Sequence, residues 1–300
     1  TAMSVPSRIA DLENRRYMKK FRTVHYTVHM EKIQEKKGPR FAVLADLHGM
    51  EFGQDNQILL DAIDRHHPDG ILIAGDMIVR CSEETFPVAL QLLKNLVEKY
   101  PVYYGLGNHE YSLYASDPEE NPLTEKYLEY EIQVKEAGVH ILHNEQKSFR
   151  MGETLYRIYG LEIPRLYYKK PFAPMMRSDE VEQLIGDRDE QAVSILLAHN
   201  PRYGDAYFGW GADLILSGHY HGGVLRFTRC RGAISPQFEL FPRYCCGDFH
   251  KKGQHMLVSG GIGEHTIPVR VHNPRELLIV DLKPGSGKKS RKEEHTWEFR

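Results

Sequence analysis

The sequence lacks several features that define specialised classes of protein. Only four of its 300 residues are cysteine, and none forms a Cys-x-x-Cys pair, which argues against a thiolate zinc site. Two cysteine states stay open: a disulfide from Cys230 to Cys245 or Cys246, or unpaired thiols. No apolar run approaches the ~18–20 residues that a membrane span needs. The net charge of -2 gives no global basic field that would indicate a nucleic-acid partner.

The chain is predicted to have one large domain between two charged ends. Residues 1–22 form a basic segment whose RRYMKKFR cluster suits either a juxtamembrane remnant or a solvated helix end. The opening residues TAMSVPS lack an initiator methionine, as a trimmed N-terminus would. Residues 23–283 are predicted to fold, and residues 284–300 to be a mobile charged tail. We expect the protein in the cytoplasm or at a membrane.

Three short apolar runs in the first half each end in glycine and polar residues. These runs, RFAVLADLHG, ILIAGDM and VYYGLGNHE, are separated by two segments with apolar residues at helical spacing. This order of strands and helices indicates parallel βαβ units. Because the carboxyl ends of parallel strands meet at one edge of a sheet, the polar residues should lie together there.

The second half is predicted to form a second sheet. KSFRMGETLYRIYGL has the pattern of a hairpin that turns at Gly152–Glu153, and AVSILLAHNP and ADLILSGHYHGG repeat the apolar run with a polar end. HMLVSGGIG and RELLIVDL are predicted to complete this sheet. The predicted fold class is α/β, a four-layer αββα sandwich of two mixed sheets with a dinuclear metal site at the carboxyl ends of the strands.

Five motifs place carboxylate, imidazole and amide groups after these runs. In chain order they are Asp46-x-His48, Gly75-Asp76, Gly107-Asn108-His109-Glu110, His199-Asn200 and Gly218-His219-x-His221. One such strand end is weak evidence, but five in order indicate a single site. Mixed oxygen and imidazole ligands suit hard and borderline divalent metals. Two ions about 3.5–4 Å apart need a bridging group, for which the central Asp76 is the candidate.

The complete pattern resembles the calcineurin-like metallophosphoesterase superfamily. The segments SGGIGEHTIPVR and NPRELLIVDL extend the likeness over nearly the whole chain. Within the superfamily the sequence is most similar to bacterial membrane-associated phosphoesterases and UDP-diacylglucosamine hydrolase-like enzymes. The resemblance implies a hydrolase that cleaves a phosphomonoester or phosphodiester, lipid-linked or nucleotide-like. It also implies two divalent metal ions (Mn, Fe, Zn or Co) and a metal-bound hydroxide as the nucleophile.

The resemblance assigns a role to each motif residue. It implies that metal one is held by Asp46, His48, Asp76 and His221, and metal two by Asp76, Asn108, His199 and His219. His109 would be the catalytic residue, lying over the metal pair to protonate the leaving oxygen or stabilise the transferring phosphoryl group. Glu110 would orient His109 or buttress its loop.

Four further residues are candidates for substrate binding: Gly49, Arg80, Asn200 and His265. Each also has a structural explanation, such as a plain turn for Gly49, a helix cap for Arg80 and a turn cap for Asn200. Two aromatic stretches, residues 165–176 and 202–210, would suit an acyl chain or a membrane surface if exposed. Packed against each other, they would be ordinary core.

Three function classes compete. The sequence favours a phosphoesterase for a small-molecule or lipid phosphate ester, with peripheral membrane association as a further expectation. A nuclease would need a basic channel or a DNA-binding domain. Neither the net charge nor the length of the chain indicates one, so we expect no nucleic-acid partner. A catalytically silent scaffold should show ligand replacements, whereas all the ligand-type residues and His109 are present.

Overall fold

The computed structural model describes residues 20–285, apart from 120, 171–172, 224, 229, 233 and 265–269. The predicted N-terminal segment up to residue 19, the charged tail from residue 286 and the substrate-site candidate His265 lie outside these residues. Within them, every helix is too short or too polar to cross a bilayer. None of the four cysteines forms a disulfide.

The first sheet contains six strands. They are β1 (Phe21–Met30), β2 (Arg40–Leu44), β3 (Gly70–Ala74), β4 (Val102–Gly105), β5 (His140–Leu142) and β14 (Arg275–Pro284). Their order across the sheet is β1-β14-β2-β3-β4-β5. Strands β2, β3 and β4 run parallel, as the βαβ pattern predicted, and β5 also pairs parallel to β4. Strand β14 pairs antiparallel to β2 and parallel to β1.

The second sheet also contains six strands. They are β6 (Gln146–Met151), β7 (Thr154–Leu161), β8 (Val193–Ala198), β9 (Leu214–Ser217), β12 (Gly247–Lys251) and β13 (Gln254–Val258). Their order is β12-β13-β9-β8-β7-β6, and a separate small ribbon joins β10 (Arg226–Thr228) to β11 (Arg231–Gly232). The hairpin predicted at Gly152–Glu153 is confirmed by the antiparallel pairing of β6 with β7.

The last strand lies in the first sheet, so the prediction that RELLIVDL completes the second sheet was wrong. Strand β14 is buried on both faces: Leu277 and Ile279 pack on the helical side, and Leu278 and Val280 pack between the sheets. An apolar run of this kind suits the centre of either sheet. The pattern therefore identifies the strand without identifying its neighbours.

Helices cover the outer face of each sheet. They are α1 (Gln57–Asp64), α2 (Thr85–Val97), α3 (Asn108–Tyr114), α4 (Leu123–Glu136), α5 (Ser178–Ile185) and α6 (Gly204–Trp210). The first four contribute to the apolar cluster on the first sheet, and the last two to the cluster on the second. A third cluster fills the space between the sheets. These layers confirm the predicted αββα sandwich.

The aromatic stretch at residues 202–210 belongs to the core. Most of it forms α6, and its large side chains Tyr203, Tyr207 and Trp210 are buried against the second sheet. The core alternative for this stretch is therefore confirmed. The other stretch is divided, because Tyr167 is buried whereas Met175 is exposed.

Candidate metal centre

The five motifs lie at the carboxyl ends of five parallel strands. Strands β2, β3 and β4 of the first sheet and β8 and β9 of the second all end at the same edge of the sandwich. The structure brings seven predicted ligands together there, which we call the strand-end centre: Asp46, His48, Asp76, Asn108, His199, His219 and His221.

Five of these seven residues have a left-handed backbone. The φ angles are 56° at Asp46, 50° at His48, 56° at Asp76, 65° at His219 and 48° at His221. Residues other than glycine rarely adopt this conformation, and each instance costs on the order of 1–3 kcal/mol. Such strain persists where the surroundings hold a side chain in place for a function.

Two glycines allow the carboxylates to sit close to the backbone. A Cβ on Gly107 would lie 2.1 Å from Oδ1 of Asp76, and one on Gly218 would lie 2.6 Å from Oδ2 of Asp46. Any side chain at either position would displace a carboxylate. The glycines of the GNHE and GHYH motifs are therefore required by the close approach of backbone to carboxylate.

Asp46, His48 and His221 form the first group. Their potential ligand atoms lie within 4.8 Å of one another, and Nε2 of His48 is 3.1 Å from Nε2 of His221. The two rings are stacked, with centroids 5.0 Å apart. Oδ1 of Asp46 lies 3.4 Å from Nε2 of His221. Two imidazole nitrogens and a carboxylate therefore point into one small space that could hold a metal ion.

Asp76, His199 and His219 form the second group, again within 4.8 Å of one another. Nδ1 of His199 lies 2.6 Å from the Ala74 carbonyl, so this nitrogen donates its hydrogen, and Nε2 lies 2.9 Å from Oδ2 of Asp76. Such a carbonyl partner commonly fixes the tautomer of a metal-binding histidine.

Asn108 faces the same space with an unsatisfied oxygen. Its side-chain Oδ1 is buried and has no hydrogen-bond partner among the described residues. A buried amide oxygen without a partner costs about 1–3 kcal/mol. Coordination of a cation would satisfy it, so the donor set fits a divalent metal.

The electrostatics of the centre also favour a cation. Burial raises the pKa of Asp46 to about 7, and the neighbouring Asp76 charge adds to this. Burial would lower the pKa of His199, but the carboxylates of Asp76 and Asp46 outweigh it and raise this pKa to about 9. Burial lowers the pKa of His48 to about 3, so this ring is a neutral ligand. The buried carboxylates thus need positive charge beside them.

His109 projects from the first turn of α3 towards both groups. The backbone N–H of Arg80 donates to its Nδ1 at 3.0 Å, so the proton of the neutral ring must be on Nε2. Nε2 lies 4.0 Å from Oδ2 of Asp76. Burial lowers the pKa of His109. The residue is therefore a neutral hydrogen-bond donor that points its N–H towards the centre.

Glu110 holds the loops beneath the centre. Its buried carboxylate accepts hydrogen bonds from the N–H groups of Asp76, Met77, Ile78 and Gly107 at 2.7–3.2 Å, and from the Tyr104 hydroxyl. The sequence left two roles open for this residue. The contacts are those of a loop buttress, since they tie the end of β3 to the start of α3.

A cavity of about 980 Å³ opens over the centre. Asp76 is the one acidic residue among the described residues that line it. The cationic lining residues are Arg80, Arg165, Lys169 and Lys170. This excess of positive charge suits an anionic substrate.

The other substrate-site candidates lie elsewhere. Gly49 does not line the cavity; its φ is +66° and a Cβ there would meet Thr85 at 2.5 Å, so it serves a tight turn. Asn200 is fully buried and caps the turn at Pro201–Tyr203 by accepting from the Arg202 N–H. Its Nδ2 donates to Gln237 at 3.1 Å.

Two residues beside the centre were not predicted. The guanidinium of Arg270 lies 3.2 Å from Nδ1 of His221, and the Tyr168 ring packs edge-on against His219 with centroids 5.2 Å apart. Tyr168 belongs to an aromatic stretch that the sequence singled out. Arg270 is the last residue of the segment SGGIGEHTIPVR, which extends the family likeness without indicating a role for this arginine.

Comparisons with known proteins found chains similar to this one. One is the phosphopantetheinyl hydrolase of Mycobacterium tuberculosis, with a TM-score of 0.45 and 12% identity over 76% of this chain and 91% of that one. A metallophosphoesterase of Aquifex aeolicus is 26% identical, over 87% of this chain and 92% of its own length. The phosphodiesterase YaeI of Escherichia coli is 26% identical, over 80% of each chain.

The family profile described as calcineurin-like phosphoesterase matches residues 39–223. This range includes every residue of the strand-end centre and His109. The chain belongs to the calcineurin-like phosphoesterase family.

Proposed function

We propose that this protein hydrolyses a phosphate ester with two divalent metal ions held in the strand-end centre. The observation that carries the proposal is the pair of adjacent ligand groups, Asp46–His48–His221 and Asp76–His199–His219. Asp76 also lies within 4.8 Å of His48. It therefore reaches both groups, as a bridging carboxylate must.

Each ion would have four protein ligands. The first would be held by Asp46, His48, Asp76 and His221, and the second by Asp76, Asn108, His199 and His219. When bound, such ions supply positive charge for the phosphoryl oxygens and make an attacking water more acidic. The identity of the ions is not determined by this mixture of oxygen and imidazole donors, which suits Mn, Fe, Zn or Co.

His109 stabilises the transferring phosphoryl group by hydrogen bonding in this proposal. Its Nδ1 already accepts a hydrogen bond from the backbone N–H of Arg80. A proton on Nδ1 would clash with the hydrogen of that N–H, so the neutral ring can donate only through its Nε2–H. A neutral imidazole is too weak an acid to release that proton to a leaving alcohol. Of the two roles that the family resemblance implied, charge stabilisation fits the geometry better.

The cationic lining of the cavity orients an anionic small molecule. Arg165 is held in position by hydrogen bonds to the Ser112 carbonyl and the Ser116 hydroxyl. Arg80 lies beside His109, to which its N–H donates. These residues would contact phosphate oxygens that are not already held by metal.

We further propose that the substrate is lipid-linked and that the protein binds a membrane surface at the cavity mouth. Two loops form one side of the cavity and contact each other, because Gln237 donates to the Tyr167 carbonyl at 2.9 Å. The Lys170 ammonium lies 5.1 Å from the centre of the Phe238 ring. Exposed apolar side chains on these two segments are Leu166, Met175, Phe238, Leu240 and Phe241.

Apolar and basic residues together are the composition of an interfacial surface. A lipid-linked ester would present its phosphate to the cavity while its acyl chains stay in the bilayer. Lipid-linked phosphate esters are the substrate class implied by the sequence resemblance to membrane-associated phosphoesterases and UDP-diacylglucosamine hydrolase-like enzymes. A nucleotide-like ester would need the cavity alone.

Sedimentation with phosphatidylglycerol vesicles separates these substrate classes. We expect the protein to sediment with the vesicles, and the variant Phe238→Ser/Phe241→Ser to remain in solution. Ile58→Ser is the matched control, since Ile58 is 56% exposed but lies on α1, outside the two apolar segments. If the wild-type protein stays in solution, the membrane proposal is wrong and a nucleotide-like substrate is favoured.

Hydrolysis itself is tested with p-nitrophenyl phosphate and bis-p-nitrophenyl phosphate after chelation and re-addition of Mn²⁺. We expect metal-dependent activity that the variant Asp76→Asn lacks. Activity on the diester would direct the substrate search to phosphodiesters. Full activity in the presence of chelator, or in Asp76→Asn, would overturn the metal-dependent proposal.

A further inference from the structure

A second cluster of metal-binding side chains lies on the hairpin formed by β12 and β13. His250 and His255 face each other across the two antiparallel strands. Asp248 lies two residues before His250, on the same face of the strand. Their potential ligand atoms lie within 4.8 Å of one another. None of the three lines the cavity over the strand-end centre.

The strand alternation places this cluster at the open edge of the sandwich. On β13, Leu257 packs between the two sheets, whereas Met256 and Val258 pack on the helical side. His255 therefore shares the inner face with Leu257. His255 precedes the end of its strand, Val258, by three residues, which is about 10 Å along the strand.

The distances within the cluster match a tetrahedral metal site. Oδ2 of Asp248 lies 3.2 Å from Nε2 of His250 and 3.3 Å from Nδ1 of His255. Ligands about 2.0–2.1 Å from a tetrahedral zinc ion are separated by about 3.3–3.4 Å. The two imidazole rings are nearly perpendicular, at 85°, with centroids 4.4 Å apart. Both rings thus direct a nitrogen towards the same carboxylate.

The surroundings of the cluster also suit a cation. The side chains of Asp248 and His255 are largely buried, and His250 is 56% exposed, which leaves room for a water as a fourth ligand. The adjacent Lys251 turns to the other face and pairs with Asp205 at 3.3 Å.

We propose that Asp248, His250 and His255 bind one divalent cation of the zinc type, separate from the strand-end centre. Two imidazoles and one carboxylate are a common zinc donor set. The ion would join the edge strand β12 to β13, at the end of a sheet where pairing is least protected. It would therefore stabilise the edge of the second sheet.

The zinc content of the full chain tests this site. Wild type, His250→Ala and Asp248→Asn are loaded with Zn²⁺, separated from unbound metal by gel filtration and measured by mass spectrometry. We expect each variant to retain one zinc ion per chain less than wild type. The readout is the difference between proteins, so it does not depend on how many ions the strand-end centre holds or on its activity.

The controls distinguish loss of a ligand from loss of structure. His29→Ala removes an exposed histidine on β1 and should leave the zinc content unchanged, whereas His250→Cys should restore it. His250 is mostly exposed, so its replacement should leave the circular dichroism spectrum unchanged. Equal zinc content in wild type, His250→Ala and Asp248→Asn would show that the cluster is an ion pair only, and would overturn the proposal.

Discussion

Two buried clusters in this protein place a histidine between two carboxylates, and they differ in what surrounds them. His199 lies between Asp46 and Asp76 in the strand-end centre. His143 lies between two glutamates, with Nδ1 2.6 Å from Glu162 and Nε2 3.0 Å from Glu131. In both clusters the carboxylates outweigh the effect of burial and raise the pKa of the histidine to about 9.

The two clusters differ in whether protonation of the histidine satisfies the neighbouring polar groups. At His143 the protonated ring donates one N–H to each glutamate, and Lys135 pairs with Glu131 at 2.6 Å. Protonation of His199 still leaves the Asn108 oxygen without a hydrogen-bond partner among the described residues, and the same centre holds the nitrogens of His48 and His221, 3.1 Å apart. Asp46 and Asp76 also have left-handed φ angles. A raised pKa alone therefore does not identify a metal site; the surplus of donors and the strained backbone do.

Removing the bridging carboxylate should have the largest effect. We expect Asp76→Asn to lose bound Mn²⁺ and to lower turnover by about 10⁴-fold or more, since the ions supply several kcal/mol of charge stabilisation. Metal analysis and diester hydrolysis measure the two effects. Glu131→Gln is the matched control, because it alters a carboxylate of the other cluster. Retention of two Mn²⁺ ions by Asp76→Asn would contradict the bridging role.

His109→Ala should lower turnover by about 10²–10³-fold and leave the Mn²⁺ content unchanged. The residue donates through Nε2 and is not one of the proposed ligands, so its loss removes stabilisation of the transition state without removing metal. Steady-state kinetics beside metal analysis measures both quantities. Unchanged turnover would exclude His109 from the reaction, and loss of metal would make it a ligand.

Glu110→Gln should lower the free energy of unfolding by about 3 kcal/mol. An amide nitrogen in place of one oxygen would face backbone N–H groups that now donate to the carboxylate. Urea denaturation of the metal-free protein measures the change. Glu129→Gln on the exposed side of α4 is the control and should have no effect. A stability equal to wild type would show that the four N–H contacts do not hold the loops.

His143→Gln should have the smallest effect and should be visible only in stability. The pKa of about 9 in the folded protein exceeds the usual 6.5, so the stabilisation is fully present below about pH 6.5 and is lost as the pH rises through 9. We expect His143→Gln to cost on the order of 1–2 kcal/mol at pH 6 and nothing at pH 10.

Urea denaturation across this pH range, with the activity assay beside it, measures the His143 contribution. A difference that is independent of pH would contradict the ion-pair explanation. A loss of Mn²⁺ or of turnover in His143→Gln would remove the distinction between the two clusters.

The sequence predicts the position of the strand-end centre because chain geometry determines it. Parallel strands must end at a common edge, so Asp46, Asp76 and Asn108 could be placed together before any distance was known. The same logic applies to His199 and His219 in the second sheet. These predictions depend only on the apolar runs and on the residues that follow them.

The rest of the site depends on contacts between distant segments. The neutral tautomer of His109 follows from the Arg80 N–H, and the contact of Arg270 with His221 joins a late segment to a motif 49 residues earlier.

The sheet that contains β14 is determined by its pairing with β1 and β2. A periodic pattern reports the burial of a segment and does not report its neighbours.

Anomalous scattering from crystals grown with Mn²⁺ tests the central claim most directly. The account predicts two peaks about 3.5–4 Å apart, with Asp76 between them and Asn108 beside the second. We expect no peak at His143, where the protonated ring already donates an N–H to each glutamate. The absence of metal at the strand-end centre, or a peak at His143 of equal strength, would contradict it.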